Sequence, residues 1–330
     1  MRVTNGLSIE RLLIQHFINR SLRAAFGSNY DEGKLIFDLL KELSSLVIQA
    51  LSSVNINISS WRFIPTKKNR RIQEIDRKIE VALRSIINKR ERAVKGGDEG
   101  SNDLLGLLIE SNLREKNEGG VGLTNQEVTD ECRLFYFAGQ ESTSVLLVWT
   151  LIFLSKFPHW QSLARDEIFN VFADKKPDFD GLNRLKVVTM ILYEVLRLYP
   201  PVIVLNKVVN EEIRLGNVTL PAGVQVSLPM VLIHRDPEIW GDDASEFKPE
   251  RFSDGISTVT NNQVAFFPFG YGPRVCIGQN FALTEAKMAL AIILQNFSFG
   301  LAPSYVHAPC TVATLQPQYG ALLILQKLDT

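Results

Sequence analysis

FFPFGYGPRVCIGQNFA, residues 266–282, sets one cysteine, Cys276, among glycines, an arginine and phenylalanines, directly before a helix-forming stretch. Five positions, Phe269, Gly272, Arg274, Cys276 and Gly278, fit the spacing F-x-x-G-x-R-x-C-x-G. At about one in twenty per residue, such a match arises by chance on the order of 10⁻⁴ times in a chain of this length. A buried cysteine in a glycine-rich turn is the alternative reading.

These residue types suit a metal-bound thiolate. Cys276 precedes QNFALTEAKMALAIILQNF, residues 279–297, and the partial charge and backbone amides at that helix N-terminus favour an anion. Glycines at 270, 272 and 278 let backbone approach a flat macrocycle closely and aim N–H groups at sulfur. Arg274 offers a fork of donors suited to a carboxylate such as a haem propionate.

Upstream, YEVLRLYPP carries Glu194 and Arg197, three apart and so on one helix face. The same spacing occurs at Glu74 and Arg77, in a polar and therefore exposed helix. Glu194 and Arg197 lie in an apolar helix instead, where burial forces them to satisfy each other and further partners. FKPERF supplies a third charge, Arg251, and the expectation is a buried network of the three, with a surface pair as the alternative.

Further upstream, FYFAGQESTSVLLVWT places Ala138, Gly139, Glu141 and Ser142 in the middle of a long helical stretch. Glycine and hydroxyl residues there loosen the hydrogen-bond ladder and admit a ligand or water. Glu141 beside Ser142 offers an acid and a hydroxyl for moving protons into an otherwise apolar site. A kink with its polar residues facing outward is the competing reading.

The chain has 330 residues, 45% hydrophobic and 22% charged, which suits a sizeable core. Thirty-six basic and 36 acidic residues leave no global field to draw nucleic acid or an anionic surface. Three cysteines without CxxC spacing argue against a disulfide framework or zinc, and Cys132 and Cys310 read as small buried hydrophobes. The start, MRVTNGLSIERLLIQHFINR, has neither signal-peptide nor anchor character and reads as a chain entering mid-helix. Leu134 to Leu154 is long enough to span a bilayer, but a carboxylate at its centre costs roughly 2.5 to 3.5 kcal/mol there. It is read as a core helix.

Helical period dominates elsewhere. DEGKLIFDLLKELSSLVIQAL is one helix, and the mixed-charge run Lys67 to Lys95 is read as a solvated surface rather than a basic docking face. Glycine-rich KGGDEGSND and REKNEGGVG flank a short helix, LLGLLIESN. TNQE, with Thr124 and Glu127, is a capping box opening a helix that runs to Phe157 before Pro158. GLNRLKVVTMILYEVLRLY is one helix ending at Pro200 and Pro201. Residues 202–231 read as a small antiparallel sheet and TVATLQPQYGALLIL as a hairpin, so the fold class is mainly α with a minor β part.

These motifs, in this order, resemble the cytochrome P450 family of haem-thiolate monooxygenases over almost the whole chain. FYFAGQESTSVLLVWT, NLREKN and TLQPQYGA are most similar to the plant clan that includes secologanin synthase. The resemblance implies one haem-thiolate domain over 1–330, with Cys276 as the proximal iron ligand and Arg274 as a propionate partner. It also implies a structural triad of Glu194, Arg197 and Arg251, and an oxygen side lined by Ala138, Gly139, Glu141 and Ser142. The family usually has threonine at Ser142, whose hydroxyl survives without the methyl that fixes its rotamer. His234 resembles a loop position before PERF and is read as structural.

Relative to the family pattern, the chain is expected to begin after the membrane anchor, the proline-rich hinge, the early strands and a propionate-holding helix. The implied reaction is hydroxylation of an apolar terpenoid or steroid-like molecule with O2 and electrons from an NADPH-dependent reductase. The implied place is the cytosolic face of the endoplasmic reticulum membrane. Phe135, Ala138 and Ser142 on one helix face, with Val202 to Leu205 and Leu315, are candidate substrate walls, ordinary core packing being the alternative. A haem isomerase or dehydratase of the same fold, and a non-catalytic chain that holds no haem, are the competing functions.

Overall fold

The structure is a computed structural model describing residues 30–53, 66–96, 103–260 and 264–328. The readings of residues 1–20, and of 97–102 within the first glycine-rich connection, lie outside the described residues. Those described are mainly helical with a minor antiparallel part, as expected, and form two compact units, 30–141 and 142–328.

The first unit holds helices α1 (Tyr30–Ser53), α2 (Lys67–Lys95), α3 (Leu104–Asn117) and the opening of α4 (Asn125–Lys156). Thr66 caps α2, its Oγ1 accepting from the Asn69 amide at 3.0 Å. Despite its charge, α2 is not wholly solvated. Ile75, Ile79, Leu83, Ile86 and Ile87 recur at helical spacing and are buried against Ile36, Phe37, Leu105, Ile109 and Tyr136. Each such side chain contributes about 1.5 to 3 kcal/mol, so the surface reading holds for one face only.

The glycine-rich connection after α3 starts later than expected. REKN stays helical to Asn117, and Asp103 caps the other end through the Gly106 amide at 2.8 Å. The Asn112 side chain then closes the loop, its Oδ1 accepting from Leu123 N at 2.6 Å and its Nδ2 donating to Leu123 O at 3.1 Å. The capping box forms as expected: Thr124 N donates to Glu127 Oε2 at 2.7 Å and Glu127 N to Thr124 Oγ1 at 3.2 Å.

The second unit continues along α4, where Val145 to Leu154 are buried. By length and composition α4 could cross a membrane, and 61% of its apolar window is buried inside the protein. Pro158 opens α5 (Pro158–Phe172), which packs on α6 (Phe179–Arg184), α7 (Lys186–Leu198) and the later α11 (Gln279–Asn296). The stretch read as one helix through Tyr199 is therefore two, broken at Leu185 with φ −71° and ψ 99°. Glu167 of α5 explains the break: its carboxylate accepts from the amides of Lys186, Val187 and Val188 at 2.7, 2.8 and 3.0 Å, capping α7 from another helix.

Short antiparallel pairs follow Pro200 and Pro201. β1 (Leu205–Val208) pairs with β4 (Gln225–Leu228), and β2 (Ile213–Leu215) with β3 (Val218–Leu220). Short helices α8 (Met230–Ile233), α9 (Pro237–Trp240) and α10 (Ile256–Val259), with a 3-10 turn at Pro249–Phe252, lead to α11. The C-terminal hairpin is smaller than read: β6 (Pro309–Val312) turns at Ala313 onto β7 (Thr314–Pro317), while β8 (Leu323–Lys327) pairs with β5 (Phe297–Leu301).

Candidate functional site

Glu194 and Arg197 are completely buried on α7 and bonded twice, Nε to Oε2 and Nη2 to Oε1, both at 2.7 Å. The other donors of Arg197 reach backbone carbonyls: Nη1 to His234 O at 2.8 Å and Ala244 O at 2.5 Å, Nη2 to Glu246 O at 3.0 Å. All five guanidinium N–H groups are thereby used. Its carbon also lies 5.0 Å from the Trp240 ring centroid, a cation–π distance.

Arg251 joins as the sequence leads one to expect, its Nε 3.6 Å from Glu194 Oε1. Sequence reading missed the two residues that complete the cluster. Asp243 Oδ1 stands 2.5 Å from Arg251 Nη2, and the amide of Lys248 donates to Glu194 Oε1 at 2.8 Å. Hydrogen bonds from Lys248 first, then from Arg251, hold the Asp243 carboxyl at about 2, below the usual carboxylate range. The only signal for Asp243 was its place in the acidic run ahead of FKPERF.

The cysteine turn is built differently. Phe267 O accepts from Gly270 N at 2.9 Å, Gly272 O from Val275 N at 3.0 Å, and Phe269 O from Cys276 N at 2.8 Å. Gly270 and Gly272 have φ of +80° and +76°, conformations that glycine adopts without strain. A Cβ on Gly278 would stand 3.8 Å from the Cys276 sulfur, so hydrogen at that position keeps the approach to the thiol open.

Cys276 is exposed, at the head of α11, whose first residue is Gln279. Among the described residues no N–H donates to its sulfur, which corrects the expectation of amides aimed at the thiol: those of Val275, Cys276 and Gln279 bond to carbonyls of the turn itself. Around it, Val275, Ile277 and Phe281 are 47%, 89% and 49% exposed, an apolar surface of the sort a bound group would cover. Arg274 is exposed beside it, with no ion-pair partner among the described residues. A soft thiol, an apolar surround and an exposed guanidinium fit an iron macrocycle with carboxylate edges.

Ala138, Gly139, Glu141 and Ser142 all lie within α4, which is helical from Asn125 to Lys156. Ala138 and Gly139 are exposed, and a Cβ on Gly139 would meet nothing within 4 Å. Glu141 and Ser142 are half-buried, at the point where α4 becomes continuously buried. Phe135 packs against the core of the first unit.

In the second unit Leu315, one of the expected wall residues, bonds to Pro201, which precedes the Val202 to Leu205 stretch. Leu315 N donates to Pro201 O at 2.9 Å, and Trp149 Nε1 donates to Leu315 O at 2.6 Å. Cys132 is buried, and burial pushes its thiol up to about 12, as fits a small hydrophobe. Cys310 is only half-buried, on a strand of the β6–β7 hairpin, which corrects its reading as a buried one.

Known proteins resemble this chain over most of its length. Residues 2–323 match the family described as Cytochrome P450. The chain is 60% identical over 307 residues to cytochrome P450 72A397 of Kalopanax septemlobus, covering 92% of this chain and 59% of that one. It is 58% identical over 306 residues to cytochrome P450 72A13 of Arabidopsis thaliana, covering 93% and 59%. With the 7-deoxyloganic acid hydroxylase of Catharanthus roseus the identity is 56% over 312 residues, covering 93% and 60%. The chain thus spans about three fifths of the length of these curated relatives. Among solved structures, the crystal structure of the cytochrome P450DA heme domain superposes with a TM-score of 0.83 at 25% identity, covering all of this chain and 70% of that one. A match running nearly end to end, on a chain whose cysteine turn and buried charge cluster suit a haem protein, places this protein in the cytochrome P450 family.

Proposed function

We propose that the chain is part of a haem-dependent monooxygenase that hydroxylates an apolar small molecule using O2 and electrons from an NADPH-dependent reductase. The observation that carries the reading is the exposed Cys276 thiol on a left-handed glycine turn, flanked by exposed apolar side chains and the exposed guanidinium of Arg274. A thiolate-ligated haem supplies activation of O2 for C–H hydroxylation.

This chain's own residues have separate tasks in that reading. Cys276 ligates iron, Arg274 binds a propionate, and Phe269, Gly272 and Gly278 shape the turn between them. Ala138 and Gly139 leave room on the face of α4, where Glu141 and Ser142 hold and pass protons. Glu194, Arg197 and Arg251 fix the segment behind the cysteine turn. Val202 to Leu205 and Leu315 wall an apolar site, consistent with a terpenoid or steroid-like substrate. One relative is named as a hydroxylase of 7-deoxyloganic acid, a reaction of the class proposed. The proposal includes a single haem domain over 1–330 and action at the cytosolic face of the endoplasmic reticulum membrane.

The test is the spectrum of purified, reduced protein under carbon monoxide. The expected outcome is the red-shifted Soret band of thiolate-ligated haem, abolished in Cys276→Ser. Protein that never retains the pigment would make the non-catalytic reading correct. The band together with turnover that needs no reductase would point to an isomerase or dehydratase.

A further inference from the structure

His234 connects the two halves of the site. Its backbone carbonyl accepts from Arg197 Nη1 at 2.8 Å, and its imidazole Nε2 accepts from the Phe267 amide at 3.2 Å. The residue is completely buried, at the end of α8, with its ring 5.5 Å from Phe266 and 5.3 Å from Phe267. Phe267 in turn closes the start of the cysteine turn through Gly270, and two residues on, Phe269 O receives the amide of Cys276 itself. A continuous bonded path therefore runs from Glu194 and Arg197, through main chain and side chain of one histidine, into the segment that holds the thiol.

We infer that His234 is a positioning residue for the Cys276 turn: its neutral imidazole passes the fixed geometry of the buried charge cluster to the backbone at Phe267. This deepens the haem-ligand reading of Cys276 and rests on it. The chemistry narrows which side chains serve. An acceptor must stand where Nε2 stands, because a buried amide left unpaired costs about 1 to 3 kcal/mol. Accepting at Nε2 also sets the tautomer, with the ring proton on Nδ1. Lysine or arginine brings donors only, and phenylalanine fills the volume with no acceptor at all.

Two variants of the full chain separate positioning from packing. His234→Phe keeps a ring and removes the acceptor, whereas His234→Gln places an amide oxygen near the former Nε2. Amide hydrogen exchange is the first readout and needs no haem. In His234→Phe the amides of Phe267, Gly270 and Cys276 should exchange at least about tenfold faster, with those of α7 changed less than about twofold, and His234→Gln should restore most of the protection. In haem-loaded protein the same order should appear as loss of the red-shifted carbon monoxide band in His234→Phe and its recovery in His234→Gln. Unchanged exchange at Cys276, equal loosening of α7 and the turn, or no rescue by glutamine would each overturn the assignment. If the unmodified chain never shows the band, the haem reading fails, while the exchange arm still decides whether His234 positions the turn.

Discussion

Glu74 with Arg77, and Glu194 with Arg197, share one spacing and have opposite fates. Glu74 ignores Arg77 and pairs with Arg71 at 3.1 Å and Lys78 at 2.6 Å, its side chain 43% exposed. Glu194 and Arg197 are bonded to each other with no exposure at all. Helical spacing makes a pair available, but the surroundings decide whether it forms. On the surface, many cations compete at similar energies and water replaces any of them. In the interior, each charge must have its partners at all times, so one arrangement persists.

The largest effect should come from breaking the interior pair. Arg197→Ala strands the Glu194 carboxylate and the carbonyls of His234, Ala244 and Glu246, and should cost about 3 to 5 kcal/mol or abolish folding. The urea midpoint of the purified chain measures it, and Arg197→Lys should rescue little, since an ammonium cannot reproduce the planar fork.

Acid should reveal the same interior from another side. Burial first, and the charge of Arg197 next, lower the His234 pKa from 6.5 to about 4. A group depressed in the folded state binds more protons when unfolded, so stability is complete above about pH 6.5 and falls as pH drops toward 4. The drop should be on the order of 3 kcal/mol, and His234→Gln should remove that part of the slope. The low value for Asp243 acts in a separate window, losing its contribution from about pH 4 down to 2.

The smallest change is expected at the surface lattice. Arg71 Nε and Nη2 bond Glu42 at 2.7 and 2.9 Å with both side chains about 40% exposed, and Arg71→Ala should barely move the urea midpoint, and less still in high salt. A loss as large as that of Arg197→Ala would end the contrast between the two regions.

What the sequence disclosed and what it withheld divide along range of interaction. The span of α2, the Thr124–Glu127 box and the glycine turn around Cys276 depend on residues a few positions apart, and all were legible. The break at Leu185 was not, because Glu167 caps α7 from 19 to 21 positions away. The pairing of β8 with β5 and the double role of His234 were hidden for the same reason: each rests on partners more than twenty residues distant. The charge cluster was half visible, since Glu194 and Arg197 are neighbours on a helix, whereas Asp243 and Lys248 enter only through the path of the chain.

Of the five acceptors around Arg197, three are peptide oxygens drawn from residues 234 to 246. Through these three bonds the cation reads the course of the main chain, while the Trp240 ring beneath it is a side chain of the segment that it does sense. The segment between α8 and the 3-10 turn is thus moulded on a guanidinium. Surface positions such as Glu246, whose side chain is 64% exposed, are open to replacement as long as the peptide planes keep their directions.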